Sequence, residues 1–389
     1  MTASSSTGHG KIADIELLRG VAIIFVLIEH VRGNLFTWLQ GPEIRLYFYF
    51  GFWPGVDLFF AISGFVIARN LLPTLSGTSS TIGFFNASLV FWVRRAWRLL
   101  PSAWLWLAVI LVCAIFLNRS GAFGSFRANF EATIAATLDV ANFRMMEIFG
   151  RYAPGASFPY WSLSLEEQFY IILPIAVFVL RRWLPYLLGV GILLQFFIVR
   201  VGAGTSGFGL MMNQLRSDAL MFGVLIAIWS RHRTYALFKP AILKSRPLFG
   251  LAIFALLVLC LAGVGSTELH LVPFQVGLLA LISAALVFLA SYDQDYLWPP
   301  GRAKRVMLWF GSRSYGLYLI HIPAFCLTRE IWFRAEPPST LFTGAFTLRF
   351  AVTAAILLIA FTELNYRCVE LPLRRRGAAI AQHIAQRGG

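Results

Sequence analysis

The sequence predicts an all-α, polytopic membrane protein with about ten transmembrane helices and with both termini in the cytoplasm. Of its 389 residues, 58% are hydrophobic and only 13% are charged, and the mean hydropathy is +0.71. Soluble globular domains have a far more polar composition, so the composition indicates a membrane protein. The order of apolar windows and basic segments predicts the number of helices and their orientation.

Ten apolar windows follow one another along the chain, and each is close to the length that a helix needs to cross the hydrocarbon core. They cover residues 15–35, 52–72, 91–117, 161–180, 184–200, 208–229, 247–264, 271–291, 312–333 and 345–368. Residues 1–13 are rich in Ser, Thr and Gly, and we expect them to be disordered. Residues 14–373 form the predicted transmembrane domain, and residues 374–389 form a basic tail.

Basic residues are concentrated in alternate connections between the windows. Arg94 and Arg95, and later Arg181 and Arg182, are examples, whereas the opposite loops carry charges of both signs. Cytoplasmic loops carry the excess of Lys and Arg, which places both termini in the cytoplasm. Although the net charge is +15, the basic residues do not form one solvated patch, so we expect no nucleic-acid partner.

The cysteines do not predict a metal site. Cys113, Cys260, Cys326 and Cys368 lie singly in apolar segments and lack metal-ligand spacing. We therefore expect packed or lipid-facing thiols.

The first window carries two ionisable residues on one face. Arg19 and His30 are separated by about three helical turns, or about 16 Å along the axis. Ionisable side chains are costly to expose to lipid, so we expect both to face the interior of the bundle. A snorkelling or boundary position is the alternative for each.

The second and fourth windows carry acidic residues. Asp57 shares a stripe with Ala61 and Gly64, so it is either a catalytic group or part of a stripe on which two helices pack closely. Glu166 begins the fourth window beside Glu167, and carboxylates in an apolar helix are costly unless they are paired or functional. Asp57 and Glu166 are therefore candidate site residues.

Two arginines lie one helical turn apart at the entry to the third window. The planar guanidinium groups of Arg95 and Arg98 suit phosphate oxygens, although a positive-inside anchor is the alternative reading. In the ninth window, Ser314, Tyr318 and His321 share one face, where His321 is either a structural or a functional residue.

A series of motifs runs through the chain in order. It consists of Arg19 with His30, Gly55-Val56-Asp57, Ser63-Gly64-Phe65, Arg95 with Arg98 and Pro101, Trp161-Ser162-Leu163 with Glu166 and Gln168, Arg216 with Asp218, and Ser314-Tyr315 with Tyr318 and His321. Together these motifs resemble the membrane acyltransferase family 3, which includes bacterial enzymes that O-acetylate lipopolysaccharide, exopolysaccharide and other envelope glycans. Near the end, Val369-Glu370-Leu371-Pro372 replaces the Glu-Arg-Pro that is more usual in the family.

The resemblance implies a ten-span acyltransferase of the bacterial inner membrane. Its reaction would move an acyl group, above all acetyl, from cytoplasmic acyl-CoA to a hydroxyl of an envelope glycan or glycolipid. The implied partners are therefore acyl-CoA, the carbohydrate acceptor and membrane lipids, with no tightly bound cofactor. The resemblance further implies that His30 is catalytic and that Arg19, Arg95 and Arg98 serve the donor.

The residues and the resemblance together predict a donor end and an acceptor end. At the cytoplasmic end, charge-assisted hydrogen bonds to the donor phosphates would come from Arg19, Arg69, Arg95 and Arg98. Hydrogen bonds to the thioester oxygen or the pantetheine arm would come from Ser314, Tyr318 or His321.

At the acceptor end, His30 is the candidate general base for the sugar hydroxyl. Either Asp57 or Glu166 would orient its ring. A covalent acyl-His30 intermediate is the alternative mechanism. A proton-coupled transporter is the alternative function, because intramembrane His and acidic residues also form proton relays. It predicts matching halves, but the Arg19 to His30 pattern has no counterpart in the second half.

Overall fold

The computed structural model describes residues 12–39, 42–78, 80–149, 151–199, 216–269 and 271–387. Within these ranges the chain forms helices and no β-strand, which confirms the all-α class. Of residues 1–13, which we predict to be disordered, residues 1–11 lie outside the described residues. The prediction is wrong for Ala13, where helix α1 begins.

The α-helices are numbered in chain order. They are α1 (Ala13–Asn34), α2 (Pro42–Tyr49), α3 (Gly55–Ser76), α4 (Thr81–Phe116), α5 (Phe126–Thr137), α6 (Ala141–Ile148), α7 (Tyr160–Leu180), α8 (Leu184–Leu193), α9 (Asp218–Trp229), α10 (Ala241–Ser245), α11 (Pro247–Val264), α12 (Gln275–Ala290), α13 (Arg302–Ala335), α14 (Thr347–Asn365) and α15 (Leu371–Arg387). A π-helical turn, Tyr366–Glu370, joins α14 to α15.

Several helices are suited to a membrane, so the chain is a multi-pass membrane protein. Five helical stretches among the described residues are long and apolar enough to cross a bilayer: Gly55–Ser76, Thr81–Phe116, Tyr160–Phe196, Pro247–Val264 and Gly344–Gln386. A helix also lies in each of the ten predicted windows, although the first part of the sixth window, residues 208–215, lies outside the described residues. The count of ten crossings and the orientation of the termini stay predictions.

Small residues allow α3 and α9 to pack closely. A Cβ atom on Gly64 would lie 2.1 Å from the carbonyl oxygen of Leu220, and one on Gly223 would lie 2.2 Å from that of Ala61. These distances are too short for any side chain, so the two backbones meet directly. The stripe predicted from the sequence of α3 is therefore a packing stripe.

Glycines also allow α1 and α13 to pack closely. A Cβ atom on Gly311 would lie 1.8 Å from the carbonyl oxygen of Glu16, and one on Gly20 would lie 2.4 Å from that of Met307. This close crossing brings the two helices that carry His30 and the Ser314 to His321 segment side by side.

A buried lysine links the first residues of α1 and α13. The Lys304 Nζ atom donates to Asp14 Oδ1 at 2.7 Å and to Asp295 Oδ1 at 2.5 Å. Burial alone would lower the pKa of Lys304, but the bonds to the two carboxylates outweigh it and raise that pKa above its ordinary value. The charge is therefore retained, and this end of the bundle is cross-linked.

Two elements outside the apolar windows pack onto the bundle. Helices α5 and α6 form a hairpin whose tip contacts α7, where Gln168 Nε2 donates to the Asp139 carbonyl oxygen at 2.6 Å. Helix α15 packs along α4, and a Cβ on Gly377 would lie 2.2 Å from the Cβ of Trp97. The predicted boundary between the membrane domain and the basic tail, at residue 373, thus falls inside a helix.

Candidate active site

A narrow cavity of about 80 Å³ lies between α1, α3, α4, α7 and α13, and we call it the arginine cavity. Its polar lining consists of Arg19, Ser63, Arg95, Arg98, Ser162, Glu166, Tyr170, Ser314, Tyr315 and Tyr318. Apolar side chains of α3 form much of the remaining wall. The structure therefore brings together most of the residues that the sequence predicts for the donor, from three separate helices.

Three guanidinium groups face the arginine cavity. Arg19 is ion-paired with Glu16 at 3.2 Å, and the guanidinium carbon of Arg95 lies 5.2 Å from the ring centroid of Tyr170. Arg98 lies within electrostatic range of both other arginines, and its buried Nε atom has no hydrogen-bond partner in the described part of the chain. Adjacent cations with unfilled donors attract an anion, so this cluster is suited to phosphate groups.

Glu166 faces the same cavity from α7. Its carboxylate accepts hydrogen bonds from the Ser63 hydroxyl and the Tyr170 hydroxyl, and those two hydroxyl oxygens are 3.4 Å apart. Because Arg95 lies over the Tyr170 ring, Glu166 also supplies negative charge close to the arginine cluster. Glu166 is therefore part of the arginine cavity and is bonded to hydroxyl groups.

A second, wider cavity of about 680 Å³ begins where the first ends, and we call it the histidine cavity. Its lining includes Glu29, His30, Arg32, Asn34, Trp53, Phe149, Tyr152, Phe158, Trp161 and Arg216. Val56 and Tyr318 line both cavities. The Tyr318 hydroxyl lies at this junction, 2.6 Å from the Ser162 hydroxyl. The two cavities therefore adjoin along one polar track.

Two imidazole rings meet beside the histidine cavity. His321 Nδ1 lies 2.7 Å from the carbonyl oxygen of Tyr318, which can only accept a hydrogen bond, so we assign the proton to Nδ1. In the neutral ring, Nε2 of His321 is then an acceptor, and it lies 3.1 Å from His30 Nδ1. His30 therefore donates from Nδ1 and keeps a free lone pair on Nε2, as a base or nucleophile requires.

This geometry corrects the predicted partner of His30. The side chain that hydrogen-bonds the His30 ring among the described residues is His321, which the sequence placed at the donor, and the ring also bonds the Val26 backbone one turn earlier in α1. Asp57 is instead ion-paired with Arg216, whose Nε is 3.1 Å from Asp57 Oδ1. The Arg216 guanidinium also lies 4.2 Å over the Trp53 ring. Asp57 therefore holds Arg216 in the wall of the histidine cavity, and Glu166 bonds to hydroxyl groups in the other cavity.

Arg69 is also placed differently from the prediction. It lies within electrostatic range of Tyr235, in the connection after α9, and it lines neither the arginine cavity nor the histidine cavity. The arginine cluster in the structure therefore consists of Arg19, Arg95 and Arg98, without Arg69.

Some lining residues received no role from the sequence. Tyr170 had a usable signal, because Ser162, Glu166 and Tyr170 are spaced by four residues and share one helix face. Ser63 was singled out only as part of the Ser63-Gly64-Phe65 motif, which gave it no role of its own. Glu29 adjoins His30 in the sequence, and its carboxylate accepts from the Phe52 N–H at 2.9 Å.

The chain is similar to known acyltransferases over nearly all its length. The model of the family described as "Acyltransferase domain" matches residues 12–362. The peptidoglycan O-acetyltransferase OatA of Listeria monocytogenes is 26% identical over 387 residues, which cover 94% of this chain and 56% of that protein. The putative peptidoglycan O-acetyltransferase YrhL of Bacillus subtilis is 26% identical over 393 residues, which cover 95% and 56%.

The O-acetyltransferase OatA of Staphylococcus aureus is 24% identical over 376 residues, which cover 92% of this chain and 57% of that protein. The chain thus spans a little more than half the length of these curated relatives. No solved structure matches the chain.

Proposed function

The chain belongs to the acyltransferase family whose domain its residues 12–362 match, and from that premise we propose that it is a membrane O-acetyltransferase of the bacterial inner membrane. It takes an acetyl group from cytoplasmic acyl-CoA and transfers it to a hydroxyl of an envelope glycan. The observation that carries the proposal is the His30–His321 pair beside a cavity that adjoins, at Tyr318, a cavity lined by three arginines.

The arginine cavity is the donor end. Arg19, Arg95 and Arg98 bind the phosphates of acyl-CoA, because paired guanidinium and phosphate groups form strong charge-assisted hydrogen bonds. The cavity behind them is narrow, which suits the thin pantetheine arm. At its end, the Tyr318 and Ser162 hydroxyls bond each other and the Pro159 carbonyl oxygen. When the donor binds, they turn their protons to the thioester oxygen, on which negative charge develops during acyl transfer.

The histidine cavity is the acceptor end. Aromatic rings such as Tyr152 and Trp161 line it and offer flat apolar faces for sugar rings. Two relatives carry the name peptidoglycan O-acetyltransferase, which supports peptidoglycan as the acceptor among the envelope glycans. Membership of an acyltransferase family favours this function over the proton-coupled transporter.

His30 performs the proton transfer in the proposed reaction. Its Nε2 accepts the proton of the acceptor hydroxyl while the oxygen attacks the thioester carbonyl carbon. The carbon–sulfur bond breaks, CoA leaves as the thiolate, and the proton on His30 neutralises it. In the two-step alternative, Nε2 attacks the thioester first, and the sugar hydroxyl then attacks the acyl-imidazole. Both routes use the same lone pair.

The test uses membranes that contain the full chain and acetyl-CoA labelled in its acetyl group. We expect label to enter an envelope glycan with the natural chain and to be absent with His30→Ala, at equal expression and membrane insertion. Identification of the labelled glycan names the acceptor. His383→Ala is the matched control, because His383 is exposed on α15. Full transfer by His30→Ala would remove His30 from the mechanism, and label that stays in acetyl-CoA with the natural chain would overturn the proposed function.

A further inference from the structure

A separate groove of about 440 Å³ lies at the first turns of α1 and α13, outside the arginine cavity. We call it the Trp309 groove, and its lining includes Glu16, Arg305, Leu308, Trp309, Ser312 and Arg313. Its volume is within the range of small-molecule sites, which runs from about 300 to about 1,000 Å³. The groove has no part in the mechanism described above.

The Trp309 groove and the arginine cavity lie along the same flanks of two helices. On α1, Glu16 lines the groove and Arg19, one turn further, lines the cavity, and the two side chains are ion-paired at 3.2 Å. On α13, Leu308 lines the groove and Tyr315 lines the cavity. Leu308 and Tyr315 are seven residues apart and therefore share one helix face. A ligand that leaves the cavity past Arg19 thus meets the groove.

The groove presents an aromatic ring beside two guanidinium groups. The guanidinium carbon of Arg313 lies 5.6 Å from the Trp309 ring centroid, and Glu363 fixes Arg313 through bonds of 3.1 and 3.2 Å. Arg305 is exposed and has no ion pair among the described residues. Indole rings stack on nucleobases, and a free guanidinium binds phosphate oxygens, so the groove matches a phosphorylated nucleoside.

We propose that the Trp309 groove binds the adenosine phosphate end of acyl-CoA, an assignment that rests on the proposed function. The arginine cavity, at about 80 Å³, is too small for a nucleotide, so the adenosine of a donor whose thioester reaches Tyr318 must lie outside it. The groove is the adjoining site with suitable chemistry. Trp309 stacks on adenine, Arg305 binds a phosphate, and the pyrophosphate lies between the groove and the Arg19, Arg95 and Arg98 cluster.

The test measures equilibrium binding to the purified full chain in lipid nanodiscs at low salt. The probes are CoA, adenosine 3′,5′-bisphosphate and 4′-phosphopantetheine, and the variants are Trp309→Ala and Arg305→Gln. We expect Trp309→Ala to weaken binding of the bisphosphate by roughly 5- to 150-fold, which corresponds to the loss of one base–aromatic stack. Arg305→Gln should weaken it by roughly 5- to 10-fold. Neither change should alter phosphopantetheine binding.

Trp183→Ala and Arg302→Gln are the matched controls, because both side chains are exposed and lie outside the groove. If CoA binds the natural chain and both groove variants with one affinity, the inference is wrong and the proposed function stands. If the groove variants lose the same affinity for the bisphosphate as for phosphopantetheine, the inference is also wrong. If the natural chain binds no CoA, the proposed function fails, and the inference fails with it.

Discussion

Removal of the His321 imidazole should slow the acyl transfer without weakening donor binding. His321 Nε2 lies 3.1 Å from His30 Nδ1 in a part-buried site, and His321→Ala removes the side chain that accepts this hydrogen bond. A lost partner in a buried site costs about 1–3 kcal/mol. If this cost appears in the transition state, kcat falls by roughly 5- to 150-fold. The KM for acetyl-CoA should not change, because His321 does not line the arginine cavity.

The assay is steady-state transfer of labelled acetyl groups with membranes adjusted to equal protein content. His321→Gln is the informative partner variant, since a glutamine carbonyl can accept the His30 N–H, and we expect it to recover part of the lost kcat. Thr328→Val is the control on the same helix, because the buried Thr328 hydroxyl bonds only the Ala324 carbonyl among the described residues. Unchanged kcat in His321→Ala, or an equal loss in Thr328→Val, would refute the positioning role.

Three further predictions concern the donor end and the scaffold. Arg95→Gln combined with Arg98→Gln should raise the KM for acyl-CoA at least tenfold, since two charged hydrogen bonds are lost; steady-state kinetics should show an unchanged KM for the glycan. Gly311→Leu should destabilise the protein by about 1–3 kcal/mol, seen as a lower Tm in detergent, because a Cβ there would lie 1.8 Å from a carbonyl oxygen of α1. Asp57→Asn should lower the Tm more than Gly311→Leu does, because breaking the buried ion pair with Arg216 costs about 3–5 kcal/mol of stability. A normal Tm with abolished transfer would instead make Asp57 catalytic.

The positions of the long helices could be predicted, because the apolar character of a segment alone decides whether it forms a membrane helix. Apolar windows predicted helices at the positions of α1, α3, α4 and the later long helices, because backbone groups in lipid must be paired within the helix. Helices α5 and α6 were not predicted. They contain 12 and 8 residues, with polar side chains interspersed, so they form no apolar window, and contacts with α7 decide their position.

The candidate site was predictable as a set of residues but not as a set of contacts. Arg19, Arg95 and Arg98 line one cavity as expected, because each lies near the predicted cytoplasmic end of its apolar window. Arg69 has the same sequence context, yet it lies within electrostatic range of Tyr235 and outside the arginine cavity. Its position depends on the rotation of α3, which the Gly64 contact with α9 fixes. The sequence of a single helix does not show how that helix is rotated in the bundle, so the position of Arg69 could not be predicted.

The use of a second histidine to orient His30 follows from the dielectric environment. A carboxylate partner inside an apolar bundle would bring a charge whose desolvation costs several kcal/mol unless a cation lies beside it. Asp57 meets that condition through Arg216, and the pair leaves Asp57 in a structural role. A neutral imidazole such as His321 accepts a hydrogen bond with no such cost, and the Tyr318 carbonyl on its own helix fixes its tautomer. A histidine on the neighbouring helix therefore holds the His30 ring without adding a charge to the bundle.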